Sequence, residues 1–564
     1  MPRGSGVDSA RGRRALNMRS LRPEAFAFTV AFYILTLLNW PFWSRLHHAV
    51  EPGNAFEWLF LGSVFLVALA GYFLVLCLVS FRGILRPVAI VLLLVSAVAS
   101  HFMSEYGLLI DPVMIKNVIE TDPAEAGDLI TMKLVLFVGL LGVLPGIALG
   151  LVPIAYRPLA QSLKTKLLAA AVAVTASLVV AAPFVMNYAS VFREHREMRF
   201  ALAPYNVFSA GERLLQGKFR TTGTRVAQFG TDARLLSSSP RRKVTVLVIG
   251  ETARAANFSL NGYGRETNPK LNTVPDLVSL GNVRSCGTST AESVPCMFSG
   301  LGRQGYGAAD GRPQENLLDI VQRAGVSVLW RDNQAGCKGV CARVPSESLT
   351  RKGSAAGSDG ESHDDVLLDG LQDRIAAATG DGLIVLHMMG SHGPAYYKRY
   401  PAGFAAFLPA CMESQFGRCS GEEITNAYDN TIRYTDEVLF RLIEILRQAD
   451  KGGVATAMIY VSDHGESLGE NGIYLHGLPY ALAPDVQKHV PFLLWLSETF
   501  RTSTGVQPAC LSADRDRMLS HDNLFHSVLG LLGISTKVYR SDLDIFATCR
   551  SDRLQTSSAV RLNP

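Results

Sequence analysis

No Cys-x-x-Cys pair occurs among the nine cysteines of this 564-residue chain, which excludes the usual zinc–thiolate frameworks. No Walker loop is present, so a nucleotide is not the expected donor. No Gly-x-Ser-x-Gly elbow stands where a strand would feed a helix, which argues against a Ser-His-Asp hydrolase. Internal repeats are also absent. Charge is sparse: 18% of residues are charged and the net balance is +5, with the cations gathered in arms and loops. That is too little for a nucleic-acid partner, and an anionic membrane surface is the simpler one. Cysteine is nearly missing from the first third. Only Cys77 precedes residue 190, and the other eight follow it.

Long apolar runs fill that cysteine-poor third. Five lie near 24–45, 57–80, 83–104, 131–156 and 167–189, each able to cross a bilayer as a helix. The first is too long for a signal-peptide core and no clean small-residue cleavage site follows it, so it reads as a retained helix. Arg3, Arg11, Arg13, Arg14, Arg19 and Arg22 precede it. Arg82 and Arg86 flank the second connection, and Arg157, Lys164 and Lys166 the fourth. The third connection carries Glu105, Asp111, Glu120, Asp122, Glu125 and Asp128 instead. The positive-inside rule then places the N-terminus in the cytoplasm and everything after the fifth crossing outside.

The expected organisation is a cytoplasmic arm over 1–22, a five-helix transmembrane domain over 23–190, an amphipathic bridging linker over 191–240 and an exported catalytic domain over 241–564. Export suits the cysteines, because Cys286/Cys296, Cys337/Cys341 and Cys411/Cys419 are close enough in sequence for local disulfides. Whether Cys510 and Cys549 pair over a longer distance is left open.

In the exported part, apolar runs at 243–250, 326–330, 383–388, 456–461 and 490–496 alternate with helical stretches at 314–323, 364–377, 422–448 and 521–532. This predicts an α/β domain around a mostly parallel central sheet, with ligands beyond the carboxyl ends of the strands. Glu251, His392, Asp463 and His464 follow strands directly, and His476 lies a short loop later. Carboxylates and imidazoles converging from separate loops suit a zinc ion. Residues 286–296 form a hydroxyl-rich loop between two cysteines, with Thr288, Ser289, Thr290 and Ser293 as candidate nucleophiles. Spacing does not choose among them. A metal would supply what a threonine lacks, since coordination stabilises its alkoxide without a neighbouring base.

With Gly-Glu-Thr-Ala-Arg at 250–254, the loop at 286–296, Trp-Arg-Asp-Asn at 330–333, Ser-His-Gly-Pro at 391–394 and Ser-Asp-His-Gly-Glu-Ser at 462–467, the chain resembles membrane-bound phosphoethanolamine transferases. These modify lipopolysaccharide and belong to the alkaline phosphatase and sulfatase superfamily. The sulfatase Cys-x-Pro-x-Arg nucleophile motif is missing, which argues against a sulfatase. The resemblance implies a Zn2+ held by Glu251, Thr290, Asp463 and His464, with Thr290 as the nucleophile. It places His392 and His476 near the transferred group or a second zinc, and Lys338 near the donor phosphate. Asn117, Thr121 and Glu125 match donor-headgroup contacts, and their spacing of four predicts one shared helical face.

It further implies a monomer of the bacterial inner membrane that moves phosphoethanolamine from phosphatidylethanolamine to lipid A through a phosphoethanolamine-threonine intermediate. The consequence would be resistance to cationic antimicrobial peptides such as polymyxin. The rival readings are transfer of phosphoethanolamine or phosphoglycerol to core sugar or glucan, and a catalytically silent lipid-binding or sensing protein. Many relatives carry an extra cysteine pair before the Asp-x-Val-Leu-Leu segment that is absent at 357–368, where His363 is expected to be solvated.

Overall fold

A computed structural model describes residues 20–121, 123–221, 226–236, 241–306, 314–349 and 362–551. The chain divides into two compact units. One takes in residues up to His101 together with Lys133–Tyr205; the other takes in Phe102–Met132 and the residues from Asn206 onward.

In the first unit, Ala55–Leu78, Leu85–Tyr106, Met132–Leu151 and Leu159–Glu194 are helices long and apolar enough to cross a membrane, and Leu85–Tyr106 ends in the second unit. The expected first span is instead two helices, Pro23–Leu37 and Trp40–Val50, bent by 60°. Pro41 explains the break, because it has no amide to bond Leu37 O and its ring crowds that carbonyl. Asn39 fills the gap: buried at the bend, it donates from Nδ2 to Ile34 O at 3.0 Å and to Ala203 O at 2.7 Å. A π-turn at Gly139–Val143 interrupts Met132–Leu151 just ahead of Pro145.

The second unit is the expected α/β domain. Its eight-stranded sheet is built from β1 (Lys243–Gly250), β2 (Val278–Arg284), β3 (Ser327–Asp332), β4 (Ser346–Ser348), β5 (Gly382–His387), β6 (Ala455–Ser462), β7 (His489–Leu496) and β8 (Leu519–Ser520). Across the sheet the order is β8-β2-β7-β6-β1-β5-β3-β4. β6, β1, β5, β3 and β4 are mutually parallel, whereas β7 pairs antiparallel with both β6 and β2. β1 is buried along its whole length. Val244, Val246 and Val248 join one apolar core with the 31-residue helix Gly421–Lys451, while Leu247 and Ile249 join the other with Trp330 and Phe492. Burial on both faces is why β1 reads as an unbroken apolar run rather than an alternating one.

The register sets the chemistry. Gly250 pairs with Ser462, so Glu251 and Asp463 leave neighbouring strands side by side. His387 pairs with Asp332 on the next strands over. Disulfides join Cys286–Cys296, Cys337–Cys341, Cys411–Cys419 and Cys510–Cys549, and Cys77 is free and buried.

Candidate metal centre and nucleophile

Glu251, Asp463 and His464 present one ligand atom each within 4.8 Å of one another, and all three are fully buried. His464 Nε2 lies 3.3 Å from Glu251 Oε1 and 3.4 Å from Asp463 Oδ2. Its Nδ1–H donates to Gly465 O at 2.9 Å, which leaves Nε2 as the atom facing the carboxylates. Asp463 Oδ1 accepts from Thr252 N at 3.2 Å and from His464 N at 2.7 Å. Asp463 Oδ2 is buried with no hydrogen-bond partner among the described groups. Two buried carboxylates facing one imidazole, with an acceptor oxygen left over, are a donor set that fits a divalent cation.

The titration behaviour says the same. Burial and the Glu251 charge push the Asp463 carboxyl up to about 7. Burial opposes charge on His464, but Asp463 and Glu251 outweigh it and raise the imidazole to about 10. Burial likewise opposes charge on Glu251, which His464 nonetheless holds well below the usual carboxylate range. The cluster thus takes up positive charge from its own histidine.

Thr290 Oγ1 donates toward Glu251 Oε1 and Oε2 at 3.2 and 3.1 Å and lies 3.4 Å from His464 Nε2. It is the first residue of the helix Thr290–Met297, whose N-terminal amides favour an anion. The other hydroxyls of the loop point elsewhere. Thr288 Oγ1 donates to Leu478 O at 2.6 Å, and Ser293 Oγ to Asp463 O at 2.5 Å. Ser289 caps the helix with extended backbone, its hydroxyl buried. Among these hydroxyls, that of Thr290 is the one placed within hydrogen-bonding distance of the Glu251 and His464 side chains. The Cys286–Cys296 disulfide ties the start of this loop to the helix.

Backbone details keep the approach close. A Cβ on Gly465 would run into the Val486 carbonyl, so only glycine lets the loop after His464 pass. Thr252 sits at φ 59°, a costly conformation for a β-branched residue. It is held there by its own Oγ1–H to Glu251 Oε1 (2.6 Å), its amide to Asp463 and the Tyr428 hydroxyl on its carbonyl (2.8 Å).

Other expected residues gather nearby. The His476 ring lies 4.4 Å from that of His464 and 5.4 Å from that of His392, centroid to centroid. His476 Nδ1 is 3.0 Å from Glu466 Oε2. Burial raises the Glu466 carboxyl to about 8, against the pull of His464 and His392. Lys338, at φ 49°, donates from Nζ to Glu120 O at 3.2 Å and to Ala335 O at 3.3 Å. That brings it to the end of the helix Pro112–Glu120, and a Cβ on Gly477 would come 3.7 Å from Asn117 Nδ2, so Asn117 borders the His476 loop.

The single helical face expected of Asn117, Thr121 and Glu125 does not form. The helix ends at Glu120, and Thr121 is extended with its Oγ1–H on Asn117 O at 2.7 Å. Pro123 then opens a new helix, Pro123–Leu129, whose missing amide and bulky ring forbid one continuous helix. Glu125 belongs to that second helix, and its side chain lies outside the described groups. His363, expected in solvent, is half-buried edge-on to Tyr434 at 5.8 Å.

Some residues escaped the sequence reading. Gln334 donates from Nε2 to Glu251 Oε2 at 2.9 Å, and its amide bonds Asp332 Oδ1 at 2.9 Å. Asp332 Oδ2 in turn takes the Trp330 indole N–H at 2.7 Å and lies 3.0 Å from His387 Nδ1. Trp-Arg-Asp-Asn was a visible signal for Asp332, but nothing in the sequence marks Gln334. His521, buried, accepts the Cys286 amide at Nδ1 (3.0 Å) and donates from Nε2 to Ser462 O (2.9 Å), locking the loop to the end of β6.

A mostly parallel α/β sheet with a metal-ready carboxylate–histidine cluster and a helix-terminal threonine defines a sulfatase-type catalytic domain, and the Sulfatase family model matches residues 243–534. A second model, Phosphoethanolamine transferase EptA/EptB, matches residues 68–219. The chain is 43% identical over 547 residues to phosphoethanolamine transferase EptA of Escherichia coli strain K12, covering 95% of this chain and 99% of that one. It is 36% identical to phosphatidylethanolamine transferase Mcr-1 of Escherichia coli, over 92% and 96% of the two chains. Among solved structures it resembles the integral membrane lipooligosaccharide phosphoethanolamine transferase A of Neisseria meningitidis. There the TM-score is 0.90, the identity 36%, and the coverage 94% of this chain and 100% of that one. The chain belongs to the EptA/Mcr family of phosphoethanolamine transferases, membrane-anchored enzymes with a sulfatase-like domain.

Proposed function

We propose that this enzyme transfers phosphoethanolamine from phosphatidylethanolamine to lipid A, and that Thr290 carries the group between them. The observation behind the reading is the Thr290 hydroxyl, within hydrogen-bonding distance of both Glu251 oxygens and of His464 Nε2 at a helix N-terminus. The donor follows the name of the Mcr-1 relative. The acceptor follows that of a Kdo(2)-lipid A phosphoethanolamine 7''-transferase of Salmonella typhimurium, 28% identical over 567 residues, which covers 92% of this chain and 95% of that one.

Glu251, Asp463 and His464, with Thr290, would hold zinc. Zinc when bound lowers the pKa of a coordinated hydroxyl and offsets charge on the transferring oxygens. Thr290 Oγ1 forms the bond to phosphorus, and its proton leaves along the hydrogen bond toward Glu251 and on to solvent. The bond from phosphorus to the glycerol oxygen breaks, and His476, oriented through Nδ1 by Glu466, protonates that oxygen. An oxygen of the acceptor then displaces Thr290 from phosphorus, giving its proton to His476, and Thr290 Oγ1 regains a proton from solvent along its hydrogen bond to Glu251. Lys338 and His392 bind the phosphoryl oxygens, and Asn117, Thr121 and Glu125 hold the ethanolamine.

The organisation that serves this chemistry is a cytoplasmic arm (1–22), a transmembrane domain (23–190), a bridge (191–240) and a periplasmic catalytic domain (241–564) on the bacterial inner membrane. The added ammonium weakens the attraction of the outer surface for cationic peptides such as polymyxin. Mass spectrometry of lipid A from cells with and without the gene tests the assignment. Phosphoethanolamine added to lipid A only when the gene is present is the expected result; its appearance only on core sugar or glucan would overturn the acceptor.

A further inference from the structure

A second polar feature lies far along the chain from the transferase residues. In the membrane unit, Arg82, Gly83, Arg86, Pro87, Ile154 and Tyr156 line a cavity of about 710 Å³. It sits where the turn between Ala55–Leu78 and Leu85–Tyr106 meets the connection that follows Leu151. We propose that this cavity binds the phosphodiester headgroup of an anionic membrane lipid, through the guanidinium groups of Arg82 and Arg86 and the Tyr156 hydroxyl.

Charge balance is the first argument. Arg82 and Arg157 lie in these two connections and Arg86 in the first turn of the helix Leu85–Tyr106, and Arg157 is neutralised by Glu24 at 2.7 Å. Among the described residues no carboxylate pairs with Arg82 or Arg86, so the two cations on the cavity wall are left for an external anion. Preorganisation is the second. Arg86 donates from Nη2 to Val152 O at 2.6 Å, which fixes the guanidinium plane at the rim. Charge that only set membrane topology would need no such clamp. A guanidinium fixed in this way suits phosphate, which arginine grips through paired N–H donors.

The third argument selects a lipid over a dissolved phosphate. Leu78, Ile84 and Leu151 are exposed apolar residues close in sequence to the cavity wall, and acyl chains would cover them. A basic pocket between helices at the membrane surface is where an anionic headgroup is held. The leaflet rests on the orientation proposed above, which makes it the cytoplasmic one; binding itself does not depend on that orientation.

The test uses the full-length protein in detergent, with native mass spectrometry and thermal unfolding as readouts. The probes are phosphatidylglycerol, phosphatidylcholine and inorganic phosphate. Phosphatidylglycerol is expected to stay bound and to raise the unfolding temperature, while the other two do neither. Arg82→Gln and Arg86→Gln should each weaken phosphatidylglycerol binding about fivefold. Arg82 is exposed and has no ion pair among the described residues, so Arg82→Gln is expected to keep the wild-type unfolding temperature in the absence of added lipid. Arg86→Lys keeps the charge but loses the paired geometry, and should lie between wild type and Arg86→Gln. Equal phosphatidylglycerol binding by wild type and the Arg82→Gln, Arg86→Gln double variant would overturn the proposal, as would equal stabilisation by inorganic phosphate. Cysteine labelling of the connection from either side of the membrane tests the leaflet separately.

Discussion

Gln334 is the residue on which the metal centre depends most quietly. Its Nε2 sits 2.9 Å from Glu251 Oε2, on the carboxylate proposed to bind zinc. The side chain is itself immobilised: Oε1 accepts the Ala335 amide at 2.6 Å, and the backbone amide is anchored on Asp332 at 2.9 Å. Replacing Gln334 by Leu removes one hydrogen bond to a charged, fully buried group while roughly keeping the volume. Such bonds are worth about 1.5–3 kcal/mol. Groups that orient metal ligands typically change metal affinity by about 10- to 100-fold. Zinc affinity of Gln334→Leu, measured by competition with a chromophoric chelator, should therefore fall by about that factor. Transfer at saturating zinc should fall less, because Thr290 and its other neighbours stay in place. Gln334→Asn, one methylene shorter, should fall between the two. A Gln334→Leu enzyme that binds zinc within threefold of wild type would refute the idea that this amide holds Glu251 in position.

Thr290→Ala should abolish both transfer and the phosphoethanolamine adduct on the protein, and Thr290→Ser should retain the adduct; intact-protein mass spectrometry after incubation with phosphatidylethanolamine decides it. His526, buried in the helix Asp522–Leu532, is pushed from 6.5 down to about 4 by burial and Arg540, so folding favours its neutral form. Its contribution is present above pH 6.5 and is lost as pH falls toward 4, so the unfolding temperature of His526→Asn should decline less steeply across that window. Removing the Cys286–Cys296 disulfide, which closes a loop with a sequence separation of 10, should cost about 3 kcal/mol by loop-closure entropy, readable as a lower unfolding temperature without reductant. An unchanged melting curve in Cys286→Ser, Cys296→Ser would count against that loop's role as a brace.

Much of this was legible from residue order. The apolar runs marked the membrane helices because a bilayer demands unbroken hydrophobic length, and β1 and β6 stood out because both their faces are buried. Glu251 and Asp463 were visible because strand ends in parallel sheets carry ligands. Two things were not. The bend at Leu38–Asn39 and the break at Thr121 each hang on one proline inside an otherwise helical pattern, and a four-residue spacing says nothing about where a helix stops. Gln334 was hidden for another reason: an isolated glutamine carries no periodicity, and its meaning arises only when β3 and β1 are brought into one sheet.

The pairing of Gly250 with Ser462 also joins parts of the chain that are made far apart in time. Thr252 and Asp463, joined across the cluster by a hydrogen bond from the Thr252 amide to Asp463 Oδ1, are 211 residues apart. β1, β3, β4 and β5 all precede β6 in the chain, so Glu251 and Thr290 are made well before Asp463 and His464. Contacts of such long range form late and slowly. A product truncated before Ser462 would lack Asp463 and His464, two of the three buried residues that could together hold a metal ion.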